Sequence, residues 1–370
     1  MDFLIQRDEL LRALNRAVAI VDKRPANAIL ACVLVQATTT GVRFVATDKT
    51  ITFLGDFDAN VRTPGEAAVD ATNFFQTARV LPAGAVHVRL VDGQRIEVRA
   101  GTAYFKLNAF PGVDFPVTPP LDQSRSIRLA TADLRRLIKQ TLFSVAPDDN
   151  RYGLNGAHVE DVAGDKPMVR FVSTDGNRLS WSQAPYQGDL AVGRKMLLPR
   201  KALAEMAKLV EGRDDEVELA FGERAALASL PGVQLHMRLL EADFPDYRQV
   251  LPSSWKRRVV VEREAFVEAL RCVSVFAADA AHSVKFAFNA DGIVLTARKA
   301  DAGDAREELA ADLTGEAIVM GLNARFVQDV LDSLPDGRLT LELGETLSPC
   351  IVRAQEESNA LFVIMPLRLD

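Results

Sequence analysis

A strand–helix–turn–strand pattern that occurs three times in 370 residues constrains the fold of this chain more than any other feature. The clearest copy occupies residues 196–221. Pro199 is expected at the first helical position, because a proline there loses no hydrogen bond, and Gly212 is expected to end the helix. The apolar residues show helical spacing and then strand alternation: Leu203, Met206, Ala207 and Val210, followed by Val217, Leu219 and Phe221.

The other two copies occupy residues 67–90 and 317–343. Copies about 125 residues apart indicate repeated domains, because solenoid repeats are much shorter. The start of each third also repeats, with a short strand before an amphipathic helix. We therefore predict an α+β chain with two helices packed on antiparallel sheets, and about eight strands, in each domain. The predicted domains are 1–120, 126–250 and 256–370.

Two proline-rich segments, 109–120 and 244–252, mark the predicted boundaries between domains. Prolines at this density do not fit central strands, because each lacks a hydrogen-bond donor, but they suit extended linkers. The last ten residues, 361–370, are expected to form an exposed apolar tail.

The composition favours a soluble, cytoplasmic protein without a membrane span or signal peptide. Hydrophobic residues make up 48% and charged residues 25% of the chain, and no long apolar run occurs. Cys32, Cys272 and Cys350 are widely separated, which indicates buried thiols in a reducing compartment rather than disulfides or a metal site. The net charge of −6 argues against a protein that coats nucleic acid with its whole surface, but it allows a local basic face.

Four short motifs occur in the order and spacing of a known family. They are Arg-Tyr-Gly-Leu-Asn-Gly at 151–156, Thr-Asp-Gly-Asn-Arg-Leu at 174–179, Phe-Pro-Asp-Tyr-Arg at 244–248 and Met-Pro-Leu-Arg-Leu at 365–369. With the triple repeat, they make the whole chain resemble the bacterial DNA polymerase III beta subunits, the sliding clamps. The resemblance implies three DNA-clamp domains, and two chains joined head to tail into a six-domain ring around duplex DNA. Twelve helices of about 10 Å would leave a hole roughly 28 Å wide.

The predicted helices carry basic residues that could contact DNA phosphates without reading sequence. The resemblance implies DNA contacts at the following residues: Arg24, Arg135, Lys139, Tyr152, Arg200 and Lys201. The alternative is that Lys and Arg merely solvate exposed helix faces. The chain departs from the family pattern at Thr72, Asn73 and Gly153, and acidic Asp148 and Asp149 occupy a loop that often touches DNA.

The resemblance also implies an apolar groove between the second and third domains that binds short peptides containing a glutamine and large apolar residues. Its predicted lining is Leu154, Thr174, Gly176, Asn177, Arg178, Leu179, Pro245, Val250, Leu347, Pro349, Val363, Met365, Pro366, Leu367 and Arg368. Such side chains suit aromatic or leucine anchors, and a thioether such as Met365 adapts to varied partners. The alternative interpretation is that Leu154, Leu179 and Val363 are ordinary residues of the hydrophobic core. Asn177 and Gln249 depart from the family pattern at the rim.

The implied partners are the replicative DNA polymerase alpha subunit, the clamp loader, repair polymerases and other proteins with a clamp motif, together with duplex DNA and a second copy of the chain. We expect no membrane partner. The dimer contact is expected between the first domain of one chain and the third domain of the other, with Phe75, Ala78 and Arg79 on one side and Cys272, Phe276 and nearby residues on the other. No cofactor, metal or catalytic residue is expected, because the histidines lack ligand spacing and the Asp-Gly pair at 175–176 favours a turn. The remaining alternative is a three-domain interaction scaffold that does not encircle DNA.

Overall fold

The computed structural model describes most of the chain, and Arg24 and Tyr152 lie outside the described residues. The described residues are 1–22, 27–116, 118, 121, 125–147, 153–190, 196–252, 254–277, 281–299, 301–354 and 359–369. Within these ranges, no helix is both long and apolar enough to cross a membrane. No group of three or more His, Cys, Asp or Glu residues in the same ranges is placed to hold a metal ion.

Six α-helices occur in the described residues, two in each third of the sequence. They are α1 (Arg7–Ile20), α2 (Ala71–Val80), α3 (Thr131–Thr141), α4 (Arg200–Leu209), α5 (Arg263–Ser274) and α6 (Ala324–Ser333). In the first helix of each third, the fourth, seventh, eighth and eleventh residues are buried. This spacing places one buried stripe of each helix against a sheet, so the three helices share a burial pattern.

Twenty-seven strands are described, nine in each third, which is one more per third than the sequence pattern predicts. The first third contains β1 (Asp2–Gln6), β2 (Cys32–Thr38), β3 (Gly41–Thr47), β4 (Ile51–Phe57), β5 (Asn60–Thr63), β6 (Gly65–Asp70), β7 (Ala85–Val91), β8 (Arg95–Ala100) and β9 (Ala103–Pro111). The second contains β10 (Ser126–Ala130), β11 (Gly156–Val162), β12 (Met168–Thr174), β13 (Arg178–Pro185), β14 (Gln187–Gly188), β15 (Met196–Pro199), β16 (Glu216–Phe221), β17 (Ala225–Leu230) and β18 (Val233–Arg238). The third contains β19 (Arg257–Glu262), β20 (Ser283–Asn289), β21 (Gly292–Lys299), β22 (Gly303–Leu309), β23 (Asp312–Thr314), β24 (Ile318–Asn323), β25 (Arg338–Leu343), β26 (Cys350–Ala354) and β27 (Ala360–Ile364).

The chain divides by its internal contacts into two compact units rather than into three. The first unit comprises residues 1–130, 188–191 and 215–239, and the second comprises 131–187, 192–214 and 240–370. The strands explain this division: β18 of the second third pairs antiparallel with β4 of the first, so one sheet continues across the repeat boundary. Backbone hydrogen bonds therefore unite segments that the repeat pattern separates.

In the first unit, thirteen strands follow the order β10-β16-β17-β18-β4-β3-β2-β6-β9-β8-β7-β1-β5. In the second unit, nine strands follow the order β15-β11-β12-β13-β27-β26-β25-β19-β23, and four follow β22-β21-β20-β24. The strand pairs in the described residues are antiparallel, as predicted. The core of the third repeat contains Phe266, Phe286 and Phe288, whose side chains are fully buried between helix and sheet.

Helix α4 begins one residue later than the sequence pattern predicts. Pro199 is its N-cap, in extended conformation with φ −61° and ψ 147°, and Arg200 is the first helical residue. The proline can also pair as the last residue of β15, which holds it out of the helix. Gly212 lies two residues beyond the C-cap Val210, with φ +68°, a conformation that glycine adopts without strain.

Two predictions about burial are wrong. Cys272, expected to be buried, is exposed, because the ninth, tenth and eleventh positions of α5 point in different directions and only Val273 faces the core. The apolar run 361–364, expected to be part of an exposed tail, is the buried strand β27. Cys32 and Cys350 are buried, and burial raises the pKa of each thiol to about 12.

Candidate functional site

Strand pairing within the second unit brings together two of the motifs that the sequence singles out. β13 pairs with β27, so that Leu179 lies opposite Val363, and the Met365 N–H donates to the Asn177 carbonyl at 2.9 Å. The 174–179 motif and the start of the 365–369 motif are thus adjacent in space although almost 190 residues separate them in sequence.

Next to this junction is a cavity of about 320 Å³. Its lining residues are Gln249, Val250, Leu251, Pro252, Ser254, Trp255, Glu342, Gly344, Ser348, Pro349, Ile351 and Met365. Three of these, Val250, Pro349 and Met365, belong to the predicted groove. Exposed apolar side chains are concentrated here: Val250 is 44% exposed, Trp255 49% and Met365 38%. Such a concave apolar surface suits a partner's large apolar side chains.

Beneath the cavity is a small apolar cluster that gives it a rigid floor. Leu179 and Val363, both predicted as groove residues, are buried there at 4% and 1% exposure. Ile351 belongs both to this cluster and to the cavity wall, and it pairs with Val363 across β26 and β27. Leu179 and Val363 are therefore core residues, as the alternative interpretation predicted. They support the cavity indirectly, because they pack in the same cluster as the wall residue Ile351.

The Thr174–Gly176 segment forms a tight turn that leads into β13. Thr174 donates its hydroxyl to the Arg178 carbonyl at 2.6 Å, and the Gly176 N–H donates to the Thr174 hydroxyl at 3.1 Å. The Asp175 carboxylate accepts from the Asn177 N–H at 2.9 Å. Gly176 has φ +90°, a conformation that favours glycine. The turn leaves Gly176 and Asn177 exposed beside Met365, where a bound peptide could reach them.

Arg178, predicted to contact a peptide, has its guanidinium engaged within the protein. Its nitrogens donate to the Asp175 carboxylate at 2.9 Å, to the Asp329 carboxylate at 2.5 Å and to the Phe143 carbonyl at 2.5 Å. The guanidinium also lies 4.3 Å from the ring centroid of Phe326 on α6. Only 12% of the side chain is exposed, so Arg178 holds the groove together rather than presenting a free cation.

The 244–248 motif fastens the linker that forms one wall of the cavity. The Tyr247 hydroxyl donates to Glu160 at 2.6 Å and accepts from Arg170 at 3.0 Å, and Arg248 donates to Glu160 at 2.7 Å. Burial, followed by the hydrogen bond to Glu160, raises the pKa of Tyr247. These bonds hold the linker residues 249–252 against the sheet.

His158 of β11 supports the same linker through its ring. It stacks on Phe244 with ring centroids 5.4 Å apart and an interplanar angle of 13°. Burial lowers the pKa of His158, because the charged imidazolium would lose its hydration. A neutral ring at this position stacks without that cost.

The other predicted groove residues do not line this cavity. Leu347 is the most exposed of them, at 58%, while Leu154, Pro366 and Leu367 are partly buried and Pro245 and Arg368 are exposed. The Leu367 N–H donates to the Gly321 carbonyl at 2.8 Å, which attaches the tail to β24. A Cβ at Gly321 would lie 2.9 Å from the Leu367 carbonyl oxygen, so the close approach of the tail backbone favours glycine here.

Sequence reasoning missed four apolar or aromatic residues of the cavity wall: Leu251, Pro252, Trp255 and Ile351. A signal existed for Trp255, because a tryptophan in a polar linker has no strand or helix periodicity that would bury it. No local signal existed for Ile351, whose exposure to the cavity depends on pairing between β26 and β27.

The helix pair α3 and α4 carries the basic residues predicted to contact DNA. Arg135 of α3 donates to the Val210 carbonyl at 2.8 Å and to the Arg213 carbonyl at 2.7 Å, beyond the end of α4. Arg200, at the start of α4, donates to the Val145 carbonyl at 2.7 Å. The two helices are therefore antiparallel, and both arginines also close helix ends, where a cation complements the unpaired carbonyls.

Lys139 and Lys201 are exposed on the same helix pair, at α3 and α4 respectively. The six described helices contain 13 Lys or Arg residues and 8 Asp or Glu residues, which gives them a net charge of +5. Because the chain carries −6, the remainder carries −11. The helices are thus basic within an acidic protein, although phosphate contact by Arg24, Arg135, Lys139, Tyr152, Arg200 and Lys201 stays a prediction.

Comparison with known proteins gives matches along the entire chain. The DNA polymerase III beta subunit family matches with its N-terminal domain at residues 1–119, its central domain at 128–246 and its C-terminal domain at 248–368. The chain is 31% identical to the beta sliding clamp of Caulobacter vibrioides and 28% identical to that of Escherichia coli, covering 100% of both sequences in each case.

Solved structures give the same result. The sliding clamp of Bartonella birtlesii bound to griselimycin has a TM-score of 0.93 at 28% identity. A Caulobacter crescentus beta sliding clamp with polyethylene glycol at a proposed beta-motif tethering region has a TM-score of 0.93 at 31% identity. Each comparison covers 100% of this chain and 100% of the other.

Proposed function

We infer that this chain, which belongs to the DNA polymerase III beta subunit family of beta sliding clamps, is itself a DNA sliding clamp. As a clamp, it encircles duplex DNA as a ring of two chains and tethers the replicative polymerase. Its domains are proposed as 1–120, 126–250 and 256–370. In this role the chain needs no catalytic residue, cofactor or membrane contact, and it works in the cytoplasm at the nucleoid.

The proposal of a ring rests on one observation. Neighbouring repeats join by pairing of equivalent strands, and the equivalent strands at the free sides of the first and third repeats do not pair with each other. β4 pairs with β18 where the first and second repeats meet, and β13 pairs with β27 where the second and third meet. In the third repeat, the strand equivalent to β4 and β13 is β22, the end strand of its sheet. In the first repeat, the strand equivalent to β18 and β27 is β9.

Both open strands retain an edge for a partner. Among the described strands, β22 pairs only with β21, and residues 103–108 of β9 pair only with β8. An unpaired edge is a template for strand addition, so β22 of one chain fits β9 of another. Two such contacts between different edges close a head-to-tail dimer in which every junction is a strand pair.

The charges of the two edges are complementary. β22 carries Asp304, Glu307 and Glu308 against Arg306. The outer face around β9 carries Lys106 and Arg99, whose side chains are 46% and 53% exposed. Opposite charges favour this pairing over the pairing of like edges, because like charges placed across an interface repel.

DNA contact is proposed for the basic helix faces. A net charge of +5 on the helices attracts phosphates without reading base sequence, as sliding requires. Lys139, Arg200 and Lys201 lie on one antiparallel helix pair and are all exposed. Arg135 is the weakest candidate of this group, because its donors are already used on the Val210 and Arg213 carbonyls.

Partner binding is proposed for the cavity lined by Val250, Trp255, Pro349 and Met365, with the exposed Leu347 next to its wall residue Ser348 in the sequence. A short peptide would place its apolar anchors there and its glutamine against the polar turn at 176–177. The proposed occupants are motifs from the polymerase alpha subunit, the clamp loader, repair polymerases and other clamp-binding proteins. The Bartonella birtlesii clamp with bound griselimycin is a precedent for ligand binding in this fold.

The ring is tested by light scattering across a dilution series. We expect twice the chain mass, with dissociation promoted by Asp304→Lys/Glu308→Lys and partly reversed when Lys106→Glu is added. A loaded clamp should stay on nicked circular DNA and run off after linearisation. A monomer at every concentration, with no retention on circles, would instead support an interaction scaffold that does not encircle DNA.

The groove is tested by tryptophan fluorescence, because the chain contains only two tryptophans and Trp181 is buried. A peptide with a glutamine and large apolar residues should change the emission of Trp255. An alanine-substituted peptide is the control. The Trp255→Phe variant should lose the signal yet still bind, as measured by calorimetry. Binding that is unaffected by Val250→Asp would place the peptide elsewhere.

A further inference from the structure

The cavity proposed for partner peptides contains an acidic side chain that apolar anchors and a glutamine do not require. Among the described residues that line this cavity, Glu342 of β25 is the only one with a formal charge. Glu342 lies opposite Ile351 across β25 and β26, so the two side chains project from the same face of the sheet. Only 8% of Glu342 is exposed. The wall of an otherwise neutral cavity therefore holds a nearly buried carboxylate.

The carboxylate of Glu342 is poorly compensated within the protein. Its one polar contact in the described part of the chain is the Arg353 Nε at 3.5 Å, which is longer than an ordinary hydrogen bond. Arg258 lies opposite Glu342 in the register of β19 and β25, but no bond joins these two side chains. A carboxylate offers about four acceptor positions, and burying it without strong partners costs free energy. Most of this acceptor capacity therefore remains for a ligand.

Two other cations near Glu342 in sequence or space are engaged with different groups. The Arg257 guanidinium donates to the carbonyl of Gly344, a wall residue, at 2.6 Å. Lys256 forms an ion pair with Glu345, and this pair is exposed on both sides. Neither cation forms a bond to Glu342, so both leave its charge to be matched from outside the chain.

An exposed indole lines the same cavity. Trp255 is 49% exposed, and the linker that carries it is fixed by the Lys256 N–H, which donates to the Leu343 carbonyl at 3.0 Å. The face of an indole attracts cations, and a planar guanidinium can stack on it while its N–H groups bind a carboxylate. A carboxylate and an exposed indole in one concavity therefore match an arginine side chain.

We propose that Glu342 and Trp255 form an arginine subsite of the peptide groove, which selects partner peptides that carry an arginine beside their apolar anchors. The subsite rests on the proposed peptide groove and adds a charge preference to it. Charge-assisted hydrogen bonds to a nearly buried carboxylate are strong, and salt screens them less than pairs at the surface. The subsite therefore discriminates between partners that have the same apolar anchors.

The test measures peptide affinity by calorimetry on the full-length protein. Each peptide contains a glutamine and large apolar residues, with one arginine at one of the two positions on either side of this motif. Its matched peptide has citrulline there, which keeps the shape of arginine but lacks the charge. At the best position, the unaltered protein should bind the arginine peptide about tenfold more tightly than the citrulline peptide.

Protein variants then assign this preference to the two residues. Glu342→Gln should reduce the preference to less than about twofold, because it removes the charge and keeps the shape. Trp255→Leu should lower the preference about threefold, because it removes the ring. Glu345→Gln is the matched control: it removes an exposed carboxylate three residues away that does not line the cavity, and the preference should persist. Circular dichroism checks that each variant is folded.

The outcomes separate the subsite from the groove. Equal affinity of the arginine and citrulline peptides for the unaltered protein at every position would refute the subsite and leave the groove standing, and this comparison needs no variant. Tighter binding of leucine than of arginine at these positions would mean a purely apolar pocket and would also refute it. An equal fall in preference with Glu345→Gln would assign the effect to overall charge. If no peptide binds the unaltered protein, the proposed groove itself fails, and the subsite fails with it.

Discussion

The guanidinium of Arg178 on β13 donates to the carboxylate of Asp329 on α6 at 2.5 Å, and this bond connects the second repeat to the third. The same side chain binds Asp175 and the Phe143 carbonyl and packs over the Phe326 ring. One arginine therefore fixes the turn that begins β13 and the helix behind it. The proposed peptide groove depends on this junction, because residues of β13 and β27 lie beneath the cavity.

We expect Arg178→Ala to lower the free energy of unfolding by about 2–4 kcal/mol, because two carboxylates lose a largely buried partner. Urea unfolding followed by circular dichroism measures the change. Arg338→Ala is the matched control: its ion pair with Glu262 is exposed on both sides, so the loss should stay under about 1 kcal/mol. Equal losses for the two variants would contradict the structural role of Arg178.

Deleting residues 365–370 should abolish peptide binding and preserve the ring. Met365 lines the cavity, whereas β27 ends at Ile364 and keeps its pairing with β13. Calorimetry with a clamp-motif peptide measures the loss, and light scattering checks the dimer. Deleting only residues 369–370 is the control and should leave most of the affinity. Full affinity after the longer deletion would refute the assignment of the groove.

Stability should fall as the pH falls below about 6.5, because burial lowers the pKa of His158 and of His236. The unfolded chain then binds protons that the native protein excludes, so the free energy of unfolding decreases through this window. Each histidine can contribute no more than about 1.4 kcal/mol per pH unit.

Urea unfolding at several pH values between 7.5 and 5 tests this dependence. His158→Gln/His236→Gln should flatten the profile relative to the unaltered protein. A profile that is equally steep without the two buried histidines would assign the pH dependence to other groups.

In the Asp304→Lys/Glu308→Lys variant, which is expected to be a native monomer, only Cys272 should react quickly with a thiol reagent at pH 8, because the expected dimer contact would cover this thiol in the ring. The Cys32 and Cys350 thiols are buried and have pKa values of about 12, so almost none of their thiolate is available. Titration should count one fast thiol in this native variant and three in guanidinium chloride. Cys272→Ser should remove the fast phase, and a fast phase that persists would show that a buried thiol is accessible.

The sequence by itself determined the repeat, the two helices of each third, the antiparallel strands and the turn at Gly176. These features follow from local rules, because helical spacing, strand alternation and the freedom of glycine need only nearby residues. The short motifs also marked two segments that the fold brings together, at 174–179 and 365–369.

Only the tertiary structure decided which of those residues face outward. Leu179 and Val363 are buried beneath the cavity, and the Arg178 side chain bonds to groups within the protein. Trp255 lines the cavity. These positions depend on the pairing of strands that are distant in sequence. Pairing between β4 and β18 likewise joined neighbouring repeats into one sheet. Burial and hydrogen-bond partners at such junctions depend on the register of distant strands, and no local pattern specifies that register.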